Sequence, residues 1–347
     1  MSLGPLMIDL RGTAIAADER EWLKSPLVGG VILFTRNFSS REQLEDLVAD
    51  LHAIRTPPLL VTVDHEGGRV QRFREPFFVL PPFRALGRLY DEDQQRALKT
   101  AAALGWLMAA ELRAVGIDMS FTPCVDRDLG LSEVIGDRAL HTDARAVASL
   151  ARRIMNGAKR AGMAATAKHF PTHAGARSDS HTDVAVDRRE LAELADDLAP
   201  YRELIANGLP SIMVAHVSFP LVDEAPASLS SLWINAQLRE QLGFSGAVIT
   251  DDVSMAGASV GGSVAARARR ALDAGCDLVL LCNSPDEVPG VLEALDGYVN
   301  PSAQLRLSRL HGRGGMGWDE LHESAEWRRA QAAIAPLCAR PALTLQG

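Results

Sequence analysis

DAGCDLVLLCN, residues 273–283, runs from a helical segment through Ala-Gly into the apolar stretch Leu278–Leu281. Glycine just past a helix end supplies the left-handed residue that stops it, and an apolar run without alternation reads as a strand covered on both faces. The same junction recurs in AVGIDMSFTP (114–123), RAGMAATAKHF (160–170), ANGLPSIMVAHV (206–217) and QLGFSGAVITDD (241–252), with an earlier relative in LVGGVILFTRN (27–37). LMIDL near the start and PPLLVTVDHEGG around residue 60 bring the total to about eight strands alternating with helices, the number in a (β/α)8 barrel. The rival is an open doubly wound sheet, but no Gly-x-Gly-x-x-Gly follows any strand. The expected fold is therefore α/β, a TIM (β/α)8 barrel in a single domain over residues 1–347.

The intervening helices read as amphipathic. Ser39-x-x-Glu42 has the form of a capping box, and Leu44, Leu47, Val48, Leu51 and Ile54 then share one face. RFREPFFVLPPFRALGRLYD (72–91), rich in Pro and aromatics, is expected to wrap the barrel as a long loop before a helix that holds Leu104, Trp106, Leu107 and Met108. From about residue 285 to 347 closing helices are expected, with GRGGMG (312–317) as a turn before the last one.

A chain of 347 residues, 47% of them hydrophobic, can bury a large core, which argues against disorder. A net charge of -8 with no Lys/Arg-rich run argues against nucleic acid or an anionic membrane surface as a partner. A small neutral or locally complemented ligand fits better, and a monomer is expected. MSLGPLMIDLRG has no cationic leader and no long apolar run appears anywhere, so a cytoplasmic protein is expected. Cys124, Cys276, Cys282 and Cys338 lack zinc-site spacing and are too few for a disulfide framework; they read as reduced core or near-core residues.

In such a barrel the chemistry lies at the carboxyl ends of the strands. Ionisable residues fill those positions: Asp64 after strand three, Asp126 after four, Lys168 and His169 on five, His216 after six, Asp251 and Asp252 on seven. An Asp after a strand also serves as a helix N-cap, and a strand-end His is often a satisfied structural residue. Convergence of so many on one rim is what favours a site. The loop leaving strand five carries Asp179-Ser-His181, in which a carboxylate can hold the imidazole by its Nδ1–H and raise its basicity. The same tripeptide is also a common turn, and the residues alone leave both readings open. Asp251, at a rigid strand end, is suited to attack on a carbon above the barrel mouth, with His181 giving and then taking the proton. Asp252 is expected to face the wall or to cap the following helix.

These residues stand in motifs that resemble the single-domain family 3 glycoside hydrolases, the bacterial β-N-acetylglucosaminidases of cell-wall recycling. The family's KHFPGHG, four residues, then DSH stands here as KHFPTHA-GARS-DSH (168–181); VDHEGGRVQR (63–72), IGDR (135–138), Ala215-His216 and TDDVSMAGA (250–258) also match. The resemblance covers roughly residues 5 to 300. It implies a retaining exo-β-N-acetylglucosaminidase with Asp251 as nucleophile and Asp179–His181 as the acid/base dyad. Sugar contacts are implied for Asp64, Arg72, Arg138, Lys168 and His169, with His173 and His216 lining the same cavity. The implied substrate is a terminal non-reducing N-acetylglucosamine on an anhydro-muramic acid peptide, and no metal or organic cofactor is implied.

The sequence departs from the family pattern in places. Thr172 and Ala174 replace the glycines flanking His173, so that strain or another loop path is expected if either glycine uses a positive φ. His65 replaces the more usual Gln, and Arg177 in GARS offers a contact to an acidic aglycone. Two rivals remain: a metal-dependent barrel hydrolase using His169, His173, His216 and Asp251 as ligands, and a muropeptide-binding protein that has lost turnover.

Overall fold

The computed structural model describes residues 3–176 and 185–338 of the chain. Eight parallel strands form one sheet: β1 (Leu6–Asp9), β2 (Val28–Leu33), β3 (Leu60–Val63), β4 (Met119–Ser120), β5 (Thr166–Phe170), β6 (Ser211–Val214), β7 (Ala247–Asp252) and β8 (Leu278–Leu281). Helices return the chain between them: α1 (Ala17–Lys24), α2 (Arg41–Ala53), α3 (Arg84–Glu92) with α4 (Gln94–Ala114), α5 (Ala144–Arg160), α6 (Ala195–Ala206) and α7 (Val264–Ala274), with a π-helix at Leu232–Gln241 after β6. After β8 come α8 (Val288–Ala294), α9 (Pro301–Ser308), α10 (Trp318–Glu323) and α11 (Ala325–Cys338). No described helix is long and apolar enough to cross a membrane.

The strands follow one another around the sheet in chain order, from β4 back through β1 to β8 and on to β5, which is the connectivity of the expected barrel. The ring closes between β4 and β5. There the bridges Met119↔Ala164 and Cys124↔Lys168 are joined by backbone bonds from Thr166 N to Thr122 O (2.8 Å), Lys168 N to Pro123 O (3.2 Å) and Val125 N to Lys168 O (2.8 Å). Strand residues 6–9, 28–33, 60–63 and 278–281 are buried throughout, as strands covered on both faces should be. Gly275 ends α7 at φ 113°, with its N–H bonded to Ala271 and Leu272 carbonyls, the left-handed cap on which the reading of the junction rests.

Three local expectations change. The residue capping α2 is Ser40, whose Oγ accepts from Gln43 N, one position later than in Ser39-x-x-Glu42; Gln43 Oε1 accepts from Ser39 N, ahead of the cap. The stretch 72–91 is loop only in its first half, because Ala85, Leu86 and Leu89 give RALGRLYD an apolar face that buries as α3. Cys338 is exposed, whereas Cys124, Cys276 and Cys282 are buried and free.

Two buried carboxylates fasten the later helices. Glu111 on α4 accepts from Phe78 N (2.9 Å), Trp327 Nε1 (2.9 Å) and His322 Nε2 (3.1 Å), tying α10 and α11 to the barrel. Asp118, before β4, accepts from Val61 N (2.9 Å), Gly312 N (3.0 Å) and His52 Nε2 (3.1 Å). Burial opposes its ionisation, but the bonds from His311 and His52 outweigh that and hold its carboxyl well below the usual range.

Candidate active site

A cavity of about 520 Å³ opens at the carboxyl ends of the strands, and Asp64, Arg72, Arg138, Lys168, His169, His173 and Asp251 all line it. The sequence places these groups far apart; parallel strands bring their ends to one rim. Asp179 and His181, with Arg177, lie outside the described residues.

An alternating chain of charge forms one wall. Lys168, 2% exposed, reaches from β5 to Asp64 Oδ1 and Glu66 Oε1, both at 2.7 Å. Arg138 forks onto the same Glu66, with Nε at 3.0 Å from Oε2 and NH2 at 2.8 Å from Oε1, and Arg72 lies 3.8 Å from Asp64. Burial disfavours the Glu66 anion, yet Arg138 and Lys168 outweigh it and keep the carboxyl well below its ordinary value. Lys168 is likewise opposed by burial but pushed up by Asp64 and Glu66, so its ammonium persists in the wall. The wall thus presents fixed donors on Lys168 and Arg138 and an acceptor on Asp64 to a polar ligand, without the need to reorganise them.

Behind His169 stands Asp126, which is 2% exposed. Its carboxylate accepts from His169 Nδ1 (2.7 Å), His169 N (3.1 Å) and His173 N (2.6 Å). Burial alone would raise its pKa; the His169 bond and charge bring it down to about 2. With Nδ1–H directed at Asp126, the Nε2 of His169 accepts from Arg138 NH2 at 3.3 Å. The pKa of His173 is lowered, first by burial and then by His169, and its Nδ1 lies 3.3 Å from Ser132 Oγ.

Asp251, next to last in β7, lines the same cavity, and its Oδ1 accepts from Asp252 N at 2.9 Å. Asp252, which also lines the cavity, is tied into its wall: it accepts from Ser254 N (2.9 Å), Ser254 Oγ (2.7 Å) and Cys282 N (3.0 Å), and burial raises its pKa to about 6. His216 corrects an expectation. It does not line the cavity but is wholly buried behind it, with Nδ1 at 2.6 Å from Ser228 Oγ and Nε2 at 2.9 Å from the Asp252 carbonyl. A carbonyl only accepts, so Nε2 carries the proton and Nδ1 takes the serine hydroxyl's. The ring thus braces the end of β7.

The departures at Thr172 and Ala174 are accommodated without backbone strain. Asn283 is the only described non-glycine residue with a left-handed φ, so Thr172 and Ala174 need no glycine backbone. Thr172 Oγ1 also donates to Asp197 (3.2 Å), which is further held by Arg127 (3.2 Å) and Arg189 (2.8 Å), and accepts from Ala174 N (3.0 Å). His65 points away from the charged wall among Phe73 and Phe77, and burial, with Arg74 and Arg72 nearby, lowers its pKa to about 3.

The ligands suggested for a metal hydrolase do not come together. Among the described residues only Cys124, Asp126 and His169 bring ligand atoms within 4.8 Å of one another, and there Asp126 already accepts from the other two. Sequence reasoning missed Glu66 as a site residue and did not pair Asp126 with His169. Asp64 and Glu66 are two residues apart in extended chain and so share a side, a periodicity that would have found the first; only the fold reveals the second.

Comparison with known proteins accords with this geometry. Residues 5–309 match the glycosyl hydrolase family 3 N-terminal domain. The β-hexosaminidase of Thioalkalivibrio sulfidiphilus is 52% identical over 345 residues, 99% of each chain, and that of Nitrosospira multiformis 50% over 342 residues, 98% of each. The crystal structure of NagZ from Neisseria gonorrhoeae in complex with N-trifluoroacetyl-D-glucosamine superposes with a TM-score of 0.93 at 40% identity, covering 98% of this chain and 99% of that one. The chain belongs to glycoside hydrolase family 3 and is a β-N-acetylhexosaminidase.

Proposed function

We propose that the enzyme removes a terminal, non-reducing β-linked N-acetylglucosamine from GlcNAc-1,6-anhydroMurNAc-peptides derived from peptidoglycan, with retention of configuration, as a cytoplasmic monomer of one catalytic domain serving cell-wall recycling. The observation that carries this reading is the disposition of the cavity, with Asp251 on a rigid strand end and the Arg72–Asp64–Lys168–Glu66–Arg138 chain in the wall beside it. The sugar-bound NagZ structure, similar over nearly its whole length, supports a pocket for an N-acylated glucosamine.

In this reading Asp64 accepts from two adjacent sugar hydroxyls while Lys168, Arg138, Arg72 and His169 complete the sugar contacts, with His173 beside them. An Asp251 oxygen attacks the anomeric carbon as the glycosidic C–O bond breaks, and His181, held by Asp179, gives its proton to the leaving oxygen. Water then loses a proton to the same imidazole and attacks the anomeric carbon, releasing Asp251. His216 contributes indirectly, by bracing the strand that carries the nucleophile.

Proton NMR of the first-formed product tests the chemistry: β-N-acetylglucosamine is expected, and an α product is incompatible with a covalent Asp251 adduct. His181→Ala should slow an aryl glycoside with an activated leaving group less than a natural disaccharide; equal losses would remove His181 from the acid role. Release of sugar from anhydro-muropeptides, compared with chitobiose, tests the substrate.

A further inference from the structure

A second cavity, about 490 Å³, lies at the opposite end of the barrel, where α5 and α6 lead into β5 and β6. Its size falls within the range of small-molecule sites, roughly 300–1,000 Å³. The floor is apolar, made by Met155, Met163, Ala165 and Pro210, and the rim carries Lys159, Arg309 and Arg313. In a chain of net charge -8, three cations around one cavity call for explanation. None of the three has an ion pair or side-chain hydrogen bond among the described residues, whereas Arg306 nearby is forked onto Asp277 at 2.6 and 2.9 Å.

A fourth polar group points the same way. His311 also lines the cavity; its Nδ1 faces Asp118 at 3.6 Å, which leaves Nε2 on the far side of the ring. That nitrogen is buried and has no hydrogen-bond partner among the described residues. A buried polar nitrogen without a partner is costly, and a polar group supplied by a ligand would satisfy it.

The wall bearing these groups is fixed in advance. Gly312 N is bonded to Asp118 Oδ1 (3.0 Å) and Arg313 N to Gly162 O (2.9 Å), so the two residues directly after His311 are pinned. A Cβ on Gly162 would fall 1.8 Å from the Arg313 carbonyl, so the close approach depends on glycine there. Beyond Arg309 the surface continues into a smaller hollow of about 280 Å³ lined by Leu209 and Phe244, which shares Gly208, Pro210 and Arg309 with the first.

We infer that this amino-terminal face binds a small amphiphilic anion, whose carboxylate or phosphate group is held by Arg309, Arg313, Lys159 and His311 while its apolar body covers Met155, Met163 and Pro210. The charges select the head group and the apolar floor supplies area, so neither half alone suffices.

The test uses the full-length enzyme and 1-anilinonaphthalene-8-sulfonate, an aromatic anion whose fluorescence rises in apolar sites. Saturable binding of one equivalent is expected, displaced by octanoate but not, at equal concentration, by octanol, inorganic phosphate or N-acetylglucosamine. The double variant Arg309→Gln/Arg313→Gln should weaken binding at least about tenfold, by loss of two charge-assisted bonds, with 4-nitrophenyl N-acetyl-β-glucosaminide turnover and circular dichroism unchanged. Absence of saturable binding, displacement by octanol or phosphate as readily as by octanoate, or unchanged affinity in the double variant would overturn the assignment.

Discussion

Replacing Glu66 by Gln removes one negative charge from the middle of the cavity wall and almost no volume. The carboxylate is 2% exposed and takes three charge-assisted bonds, two from Arg138 and one from Lys168. The amide keeps one acceptor oxygen but turns an NH2 toward a cation; Lys168 retains Asp64, while Arg138 loses its only carboxylate among the described residues. Removing one partner of a buried pair costs about 3–5 kcal/mol. With an unfolding entropy of about 2.1 cal/mol/K per residue near 60 °C, a chain of 347 residues should melt roughly 4–7 °C lower. The pH dependence isolates the charge. The Glu66 carboxyl is depressed in the fold from 4.5, so its contribution is complete above the unfolded value and is lost as pH falls toward the folded one. In urea titrations the gap between wild type and variant should therefore narrow by about 1 kcal/mol from pH 4.5 to pH 3.5. A gap below about 1 kcal/mol at pH 7, or one of the same size at both acid pH values, would refute the account of the wall as a chain of mutually stabilising charges.

Asp251→Asn should lower kcat by at least about 10³-fold with little change in melting temperature, measured on an aryl N-acetylglucosaminide; a fall in stability as large as that of Glu66→Gln would mark Asp251 as structural. The tether of α11 should be pH-sensitive: the Trp318 carbonyl (2.9 Å) and Glu111 (3.1 Å) both accept from His322, so only the imidazolium satisfies both. Burial opposes that charge, but these bonds outweigh it and raise the His322 pKa above 6.5; the stabilisation is full below 6.5 and lost as pH rises through the folded value. Hydrogen exchange in α11 should accelerate from pH 6 to pH 8 beyond the intrinsic rate, and His322→Gln should abolish that excess. Thr172→Gly should destabilise by about 1–2 kcal/mol through the lost bond to Asp197 and added backbone freedom, whereas Thr172→Ser should cost less than half as much.

Much of the barrel was readable because glycine-capped helix ends and unbroken apolar runs are local signals, and β5 to β8 each follow such a junction. The strand-end rule likewise led to Asp64, Lys168, His169 and Asp251, which do meet at one cavity. What failed to show was the direction of side chains just past a strand. His216 and His169 both lie at the carboxyl end of a strand, yet one faces Ser228 behind the wall and the other Asp126 and Arg138 at the cavity. Those partners lie 12 to 43 residues away, so no local pattern encodes the choice. Glu66 was passed over for a different reason: it lies beyond the strand in a short hairpin, where the rule for strand ends no longer applies.

Lys168 joins two properties usually kept apart. Its main chain both donates and accepts across the seam that shuts the cylinder, and its side chain sits at the centre of the charges in the cavity wall. Redesign of substrate preference is therefore best begun at Phe34 and Met255, which border the opening but take no part in that seam. Altering position 168 would change the architecture together with the chemistry, and a catalytic defect there could not be interpreted as chemistry alone.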